Sequence, residues 1–416
     1  MTRREFVMSS VTAFTLSSLY AEAQEEAKSK EKGERIKCGV IGTGMHGRAL
    51  LKELMRMDDV EVIALCDIYQ PNLERATRAL GKAVNTYSDH RQMLEREKDM
   101  QAVIVATPTA THVAISIDAL QAGKHVYCEA PLSNEIEECK QMAKVAIASQ
   151  NIFQVGHQRR TNPLYKHALK FIKGGAIGQP VQARAHYHRK DSLRRPVSDA
   201  KYERLLNWRL YRDTSGGLVA EYGSHQLDVI NWFLNTLPVA VVGDGGIDVW
   251  KDGREVHDNI HLLFEYPNGV RVTYTATLGC SYEQNYELIL GTMGAMWFSK
   301  ERLGLWFKEP DAPEFGWEIY ARKEHLGDAL GIVLDPEASK YAAQLEKGFK
   351  PAEKPEAETK NPFYISLSEF FKCIREGKKP ACGVKEALTA AVTAIGARMA
   401  LEKGERIRYK REWFEV

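Results

Sequence analysis

The stretch from Ile36 to Asp67 constrains the fold of this chain more than any other. Ile36-Lys37-Cys38-Gly39-Val40-Ile41 is an apolar run of a length suited to a buried parallel strand. Gly42-Thr43-Gly44-Met45-His46-Gly47 follows, then an amphipathic segment through Met57, and Val60 to Asp67 reads as a second buried strand. A G-x-G-x-x-G is weak evidence alone. Between a strand and a helix, with an acid about 20 residues further on, it has the context of a dinucleotide-binding turn. Gly42 permits the tight turn, Gly44 lets a pyrophosphate approach the backbone, and Gly47 lets helix and strand pack closely. Met45 and His46 open the helix, whose N-terminal N–H groups and dipole suit phosphate. Asp67 is expected to accept hydrogen bonds from an adenosine ribose and to repel a 2′-phosphate, favouring NAD over NADP. The competing reading is a Gly-rich structural turn.

The same alternation continues. Helices are expected over 71–80, 90–96 and up to Ala122, and strands over 83–87, 102–106 and 125–128. Strands alternating with helices imply a doubly wound parallel sheet that binds ligands at its C-terminal strand ends. Thr107, Pro108 and Glu129 fall at such ends. After about residue 155 the pattern changes, and 181–188, 259–266, 270–277 and 286–291 read as sheet strands. Gly216 to Phe233 has helical spacing, and helices close the chain over 364–377 and 384–401. The fold class is therefore α/β, a Rossmann sheet followed by a second α+β domain.

The expected organisation has a signal at 1–23, a charged linker at 24–34 and a nucleotide-binding domain at 35–155. An α+β substrate and oligomerisation domain follows at 156–380, with an irregular insertion at 310–360 and a solvated loop at 347–360. Residues 381–416 form a closing helix and tail. Arg3-Arg4, a mild apolar stretch to Tyr20 and Ala21-Glu22-Ala23 are similar to a twin-arginine export signal. That implies the twin-arginine translocase as a partner and a periplasmic or secreted destination. A net charge of +2 gives no reason to expect a nucleic-acid partner. Seven cysteines without a C-x-x-C pair speak against a zinc ribbon or disulfide framework.

With these motifs in order, the chain resembles the Gfo/Idh/MocA family of NAD(P)-dependent sugar oxidoreductases, which includes glucose–fructose oxidoreductase and inositol dehydrogenase. The residues that carry the resemblance are Gly42, Gly44, Gly47, Asp67, Ala106-Thr107-Pro108 with His112, Glu129-x-Pro131, Gly156 to Pro163, and Gly223-x-His225 with Asp228. It implies NAD as cofactor, with His112 and Glu129 in its site. It also implies a second domain with an open, mostly antiparallel sheet, one face covering the nicotinamide and the other pairing subunits as a homo-oligomer. Two departures stand out. Where the family has Glu-Lys-Pro, with Lys holding the substrate hydroxyl, this chain has Glu129-Ala130-Pro131. Where the family places Asp four residues before the active-site His, this chain has Glu221.

Removing hydride from a carbinol needs a base for the hydroxyl proton. Alanine cannot serve, so the role moves to His225. On a helix Glu221 at i−4 and Asp228 at i+3 share its face and are expected to orient it. A buried helix histidine satisfied by a carbonyl is the plainer reading. Arg159 and Arg160 could contact cofactor or substrate, or be an exposed structural pair. Tyr187 and Trp208 could wall a sugar ring. His186 and His188 share a strand face that could meet a sugar or a metal, but no third ligand is visible, so no metal site is expected. The first functional expectation is an exported oxidoreductase with tightly bound NAD acting on a carbohydrate or cyclitol hydroxyl carbon. The alternatives are a redox-neutral NAD-dependent glycosidase, working by oxidation, elimination and re-reduction, and a catalytically inactive NAD-bound binding protein.

Overall fold

The computed structural model describes residues 34–312, 314, 318, 321–336 and 361–416. The expected export signal, nearly all of the linker and the 347–360 loop lie outside the described residues. Two compact units are present. Among the described residues, one takes in 35–162, 182–287 and 361–416, and the other 163–181 and those of 288–336.

The larger unit contains the parallel sheet expected from the sequence. Its strands are β1 (Ile36–Ile41), β2 (Val60–Cys66), β3 (Asn85–Tyr87), β4 (Ala102–Val105), β5 (His125–Cys128) and β6 (Phe153–Val155). Their spatial order is β3-β2-β1-β4-β5-β6, every pair parallel. The order reverses between β1 and β4, which opens a crevice at their carboxyl ends. Helices α1 (Met45–Leu54), α2 (Gln70–Leu80), α3 (His90–Arg96), α4 (His112–Gln121) and α5 (Ile136–Ala148) connect the strands.

Because side chains alternate along a strand, β4 feeds two cores. Val103 and Val105 join one with Met93, Val126, Cys128 and Met142, while Ala102 and Ile104 join the other with Cys38, Val40, Leu50 and Tyr127. The closing helices return to cover both faces. Leu367, Phe370 and Phe371, from the helix Pro362–Glu376, pack into the second core. Val384, Leu388, Val392 and Ile395, from the helix Val384–Lys403, pack into the first. Cys373 and Cys382 are both buried.

The same unit carries a second sheet. In it β7 (Pro180–His188), β10 (Arg271–Thr277), β9 (Asn259–Glu265), β8 (Ala240–Gly246) and β16 (Ile407–Arg408) lie in that order. The β10–β7 pair is parallel and the other pairs are antiparallel. Between β7 and β8 runs the segment expected to be helical. Its first turn, Val219–Gly223, is wound as a π-helix and continues into the α-helix Ser224–Leu234. The smaller unit is built of a helix, Pro163–Lys173, and the antiparallel strands β12 (Gly294–Ser299), β13 (Leu303–Lys308), β15 (Ala329–Val333) and β14 (Lys323–Leu326). Tyr165 stacks on Phe298 in its core, with ring centroids 5.0 Å apart.

Candidate active site

The turn after β1 is shaped by what each glycine would meet if it carried a Cβ. At Gly42, which has φ +89°, the added atom would lie 2.6 Å from the Ala106 carbonyl, and at Gly47 it would lie 1.9 Å from the Gly42 carbonyl oxygen. Both are packing requirements. At Gly44 the nearest protein atom would be Asn72 Nδ2, 3.9 Å away. The space over Gly44 is thus open where a pyrophosphate needs to approach, and Gly44 is the N-cap of α1 with no side-chain cap. Met45 is exposed there. The residues fit a dinucleotide.

Asp67 sits at the end of β2 and accepts hydrogen bonds from the Thr43 amide at 2.8 Å, the Thr43 hydroxyl at 3.1 Å and the Tyr69 amide at 2.8 Å. The Asn72 amide nitrogen also lies 3.4 Å from Oδ2, so four donors fix the carboxylate at the end of β2. Thr107 lies beside Gly42, its amide 2.8 Å from where a Gly42 Cβ would be. Pro108 caps a short turn, Thr109–Thr111, whose Thr111 hydroxyl donates to the Pro108 carbonyl.

His112 has a different place from the one expected. It is buried, and its ring nitrogens lie 2.8 Å from the Pro131 carbonyl oxygen and 2.9 Å from that of Thr107. The imidazole is a brace between two strand-end loops and offers neither nitrogen to a cofactor. Arg159 and Arg160 are not an exposed pair: both are buried, and Arg160 is likewise committed. Its Nε and Nη2 donate to the two oxygens of Asp228, each at 2.8 Å, and its guanidinium stacks over Trp232. Burial opposes the charge on Arg160, and Asp228 outweighs it and raises the guanidinium pKa. Asp228 therefore holds Arg160 and does not orient His225.

Glu221 is also engaged elsewhere. Its Oε1 accepts from the Thr109 hydroxyl at 3.1 Å and the Ser215 hydroxyl at 3.0 Å, and its Oε2 lies 3.8 Å from Arg209. Burial raises its pKa. Glu221 ties the π-turn before His225 to the loop after β4. Gly216 and Gly217 are structural: a Cβ at Gly216 would collide with Ala220 and Asn134, and Gly217 adopts φ +70°.

At the end of β5, Glu129 is 6% exposed. His46 Nε2 lies 3.3 Å from its Oε1, and the Gln158 amide nitrogen is 3.3 Å from the same atom. Burial alone would raise this carboxyl, but His46 and then His225 outweigh it and hold it below its ordinary value. A Cβ on Gly156 would lie 2.7 Å from Glu129 Oε2, so only glycine leaves room for this arrangement. Ala130, next in the chain, is half-buried and packs against the first core.

His225 lies against His157, a residue the sequence did not single out for the site. The two rings meet edge to face with centroids 5.1 Å apart. His157 is 1% exposed, and among the described residues neither of its ring nitrogens has a hydrogen-bond partner, nor does His225 Nδ1. Burial, His157 and Arg159 push the His225 pKa well below 6.5, while Glu129 opposes them. Burial and the neighbouring arginines lower His157 to about 3. Both imidazoles are therefore neutral at pH 7. The sequence signal for His157 was its place in the Gly156–Pro163 stretch that carries the family resemblance, which gave it no role of its own.

Tyr187 stacks on Tyr222 at 4.3 Å, and burial pushes the Tyr222 phenol up to about 12. Trp208 lies under the Arg209 guanidinium at 4.1 Å, and Arg209 in turn faces Glu221. His188 does not join Tyr187. Consecutive strand residues project to opposite faces, and His188 stacks instead on His186 at 4.1 Å.

Comparison with known proteins agrees with this architecture. Residues 36–157 match the model of the oxidoreductase family with NAD-binding Rossmann fold, GFO_IDH_MocA, and residues 165–297 match the GFO/IDH/MocA C-terminal domain. The chain is 28% identical to an inositol 2-dehydrogenase of Salmonella typhimurium over 203 residues, which is 48% of this chain and 55% of that protein. It is 34% identical to a glycosyl hydrolase family 109 protein of Stenotrophomonas maltophilia over 200 residues, 45% of this chain and 42% of that protein. It thus spans about half the length of these curated relatives. A levoglucosan dehydrogenase solved with NADH and levoglucosan shares the fold, with TM-score 0.71 and 22% identity, over 91% of this chain and 100% of that one. The two matching domain models together span more than half of the chain, which belongs to the Gfo/Idh/MocA family of oxidoreductases and carries that family's NAD-binding Rossmann domain.

Proposed function

We propose that the protein is an NAD-dependent enzyme acting on a hydroxyl-bearing carbon of a carbohydrate or cyclitol, with His225 as its acid/base. The observation that carries this reading is His225 itself: a neutral imidazole with an unpartnered nitrogen, set against His157 and influenced by Glu129. A base that must take a hydroxyl proton has to be neutral first, and burial keeps His225 so. Once protonated, it is favoured by the carboxylate charge of Glu129. This couple takes over the task that the missing lysine at position 130 would perform. The nicotinamide of bound NAD supplies hydride acceptance and return. Gly44, the N-terminus of α1 and Asp67 hold its dinucleotide, and His46 with Glu129 lies beside the fingerprint turn. Glu221 is a positioning residue that acts through Thr109, while Tyr187, Tyr222 and Trp208 offer aromatic surface to a sugar ring.

A redox-neutral glycosidase is the second reading, favoured by Ala130 and by the likeness to glycosyl hydrolase family 109 proteins. In this cycle the substrate carbon would be oxidised to a carbonyl, acidifying the adjacent C–H; the glycosidic group would be eliminated, water would add across the resulting double bond, and the carbonyl would be reduced again by the same hydride. A base such as His225 serves either course. We further propose that NAD stays bound between turnovers, in a glucose–fructose oxidoreductase-like manner. Export through the twin-arginine translocase, which rests on Arg3-Arg4 and Ala21-Glu22-Ala23, would make such retention necessary. The subunits are proposed to pair through the second sheet.

The deciding experiment identifies nucleotide released from denatured protein, then incubates intact protein with free sugars and aryl glycosides. Absorbance change at about 340 nm on sugar addition supports the oxidoreductase. Aglycone release over many turnovers without added NAD supports the glycosidase. Absence of any nucleotide binding refutes both. Sequencing the N-terminus of protein recovered from the periplasm tests export, with Gln24 as the expected first residue.

A further inference from the structure

We propose that His186, His188 and Glu283 form a binding site for a divalent transition-metal ion of the zinc class. The three residues each offer one ligand atom, and those atoms lie within 4.8 Å of one another. The two histidines alternate with Tyr187 on β7 and so share a face, and Glu283 comes from the loop that precedes β11 (Asn285–Gly291), far away in sequence.

Several features go beyond proximity. His186 is 5% exposed, and its Nε2 has no hydrogen-bond partner among the described residues, while its Nδ1 faces Glu283 Oε2 at 3.8 Å. That separation is too long for a hydrogen bond. The ring bonds instead to the Glu283 backbone, which leaves Nε2 as a buried nitrogen of the kind that normally finds a partner. His188 Nδ1 lies 3.1 Å from the Tyr282 carbonyl oxygen. A proton there makes Nε2 the electron-pair donor, as in many ligating histidines; it now faces the Thr275 hydroxyl at 3.4 Å, a contact that a bound ion would replace. The rings of His186 and His188 lie parallel, with centroids 4.1 Å apart and planes at 5°. Glu283 and Gln284 adopt φ of 61° and 57°, a left-handed pair of non-glycine residues that accompanies the presentation of the Glu283 carboxylate.

Two imidazoles and one carboxylate suit Zn2+, Co2+ or Ni2+ better than Mg2+ or Ca2+, which prefer all-oxygen shells. With three protein ligands, at least one coordination position is left for water or a ligand oxygen. Tyr187, on the other face of the strand, stacks on Tyr222 of the π-turn before His225. The metal therefore lies across β7 from the hydroxyl chemistry proposed above and does not depend on it.

Co2+ is the probe, titrated into chelator-treated full-length protein and followed by its visible d–d absorption. Cys280, exposed on the same loop, is replaced by Ser throughout so that its thiol does not contribute. One saturable equivalent is expected, displaced by Zn2+, with at least about tenfold weaker binding in His186→Ala, His188→Ala and Glu283→Gln. Zn2+ is expected to raise the melting temperature of the parent protein and not of Glu283→Gln. That variant is the folding-safe control, because Glu283 is half-exposed. No saturable binding by the parent protein overturns the proposal, as does binding of undiminished strength in all three variants.

Discussion

His157 and His225 meet edge to face, their ring planes at 64°, with three of their four nitrogens lacking a partner among the described residues. Two neutral imidazoles packed this closely make the folded state sensitive to acid. The His157 pKa falls from 6.5 to about 3 on folding, so between those values the unfolded chain binds more protons than the folded one. Stability is then full above pH 6.5 and declines as pH falls toward 3. The slope is about 1.4 kcal/mol per pH unit for this residue. Urea unfolding of wild type and His157→Asn across that window is expected to give a shallower dependence in the variant by about that amount. Parallel curves would show that His157 does not titrate as a buried group.

Arg160 and Asp228 are both buried and joined by two hydrogen bonds of 2.8 Å. Asp228→Ala leaves the buried guanidinium without its hydrogen-bonded counter-charge and is expected to cost about 3–5 kcal/mol by urea unfolding. The double variant Arg160→Met/Asp228→Leu should recover most of that loss. A single-variant cost under about 1 kcal/mol would mean the pair is solvated.

Gly44 and Gly47 separate ligand binding from folding. Gly44→Ala meets no protein atom closer than 3.9 Å, so it should fold as wild type and lose NAD affinity. Gly47→Ala forces a Cβ to 1.9 Å from the Gly42 carbonyl and should unfold at lower urea whether or not NAD is added. Thermal melts with and without NAD measure both. Equal effects of the two substitutions on the apo melt would contradict this division.

The Rossmann half was legible because its evidence is local. The strands at 36–41 and 125–128 and the helix at 90–96 follow from apolar runs and caps within a few residues. Beyond it the reading was partial: β8 of the second sheet, with Gly243, Gly245 and Gly246, and the short strands β12 to β15 of the smaller unit lack the long alternation that marks 259–265 and 271–277. Side-chain partnerships were not legible. Helical spacing put Glu221 and Asp228 on the His225 face, but spacing does not say which distant group competes for a carboxylate. Thr109 took one and Arg160 the other. The third member of the His186–His188 cluster was hidden for the same reason, since Glu283 reaches it only through the folded sheet.

The most direct test of the central claim is turnover by His225→Ala beside wild type, each first assayed for bound NAD. Removing the acid/base should lower the rate on the substrate found in the sugar and glycoside panel by about 10²–10⁴-fold, with NAD content and melting temperature unchanged. For wild type, the acid limb of kcat/KM should fall below pH 6.5, because burial keeps His225 neutral to lower pH than an exposed histidine. A variant that retains wild-type turnover with NAD bound would contradict the assignment of His225 as the base.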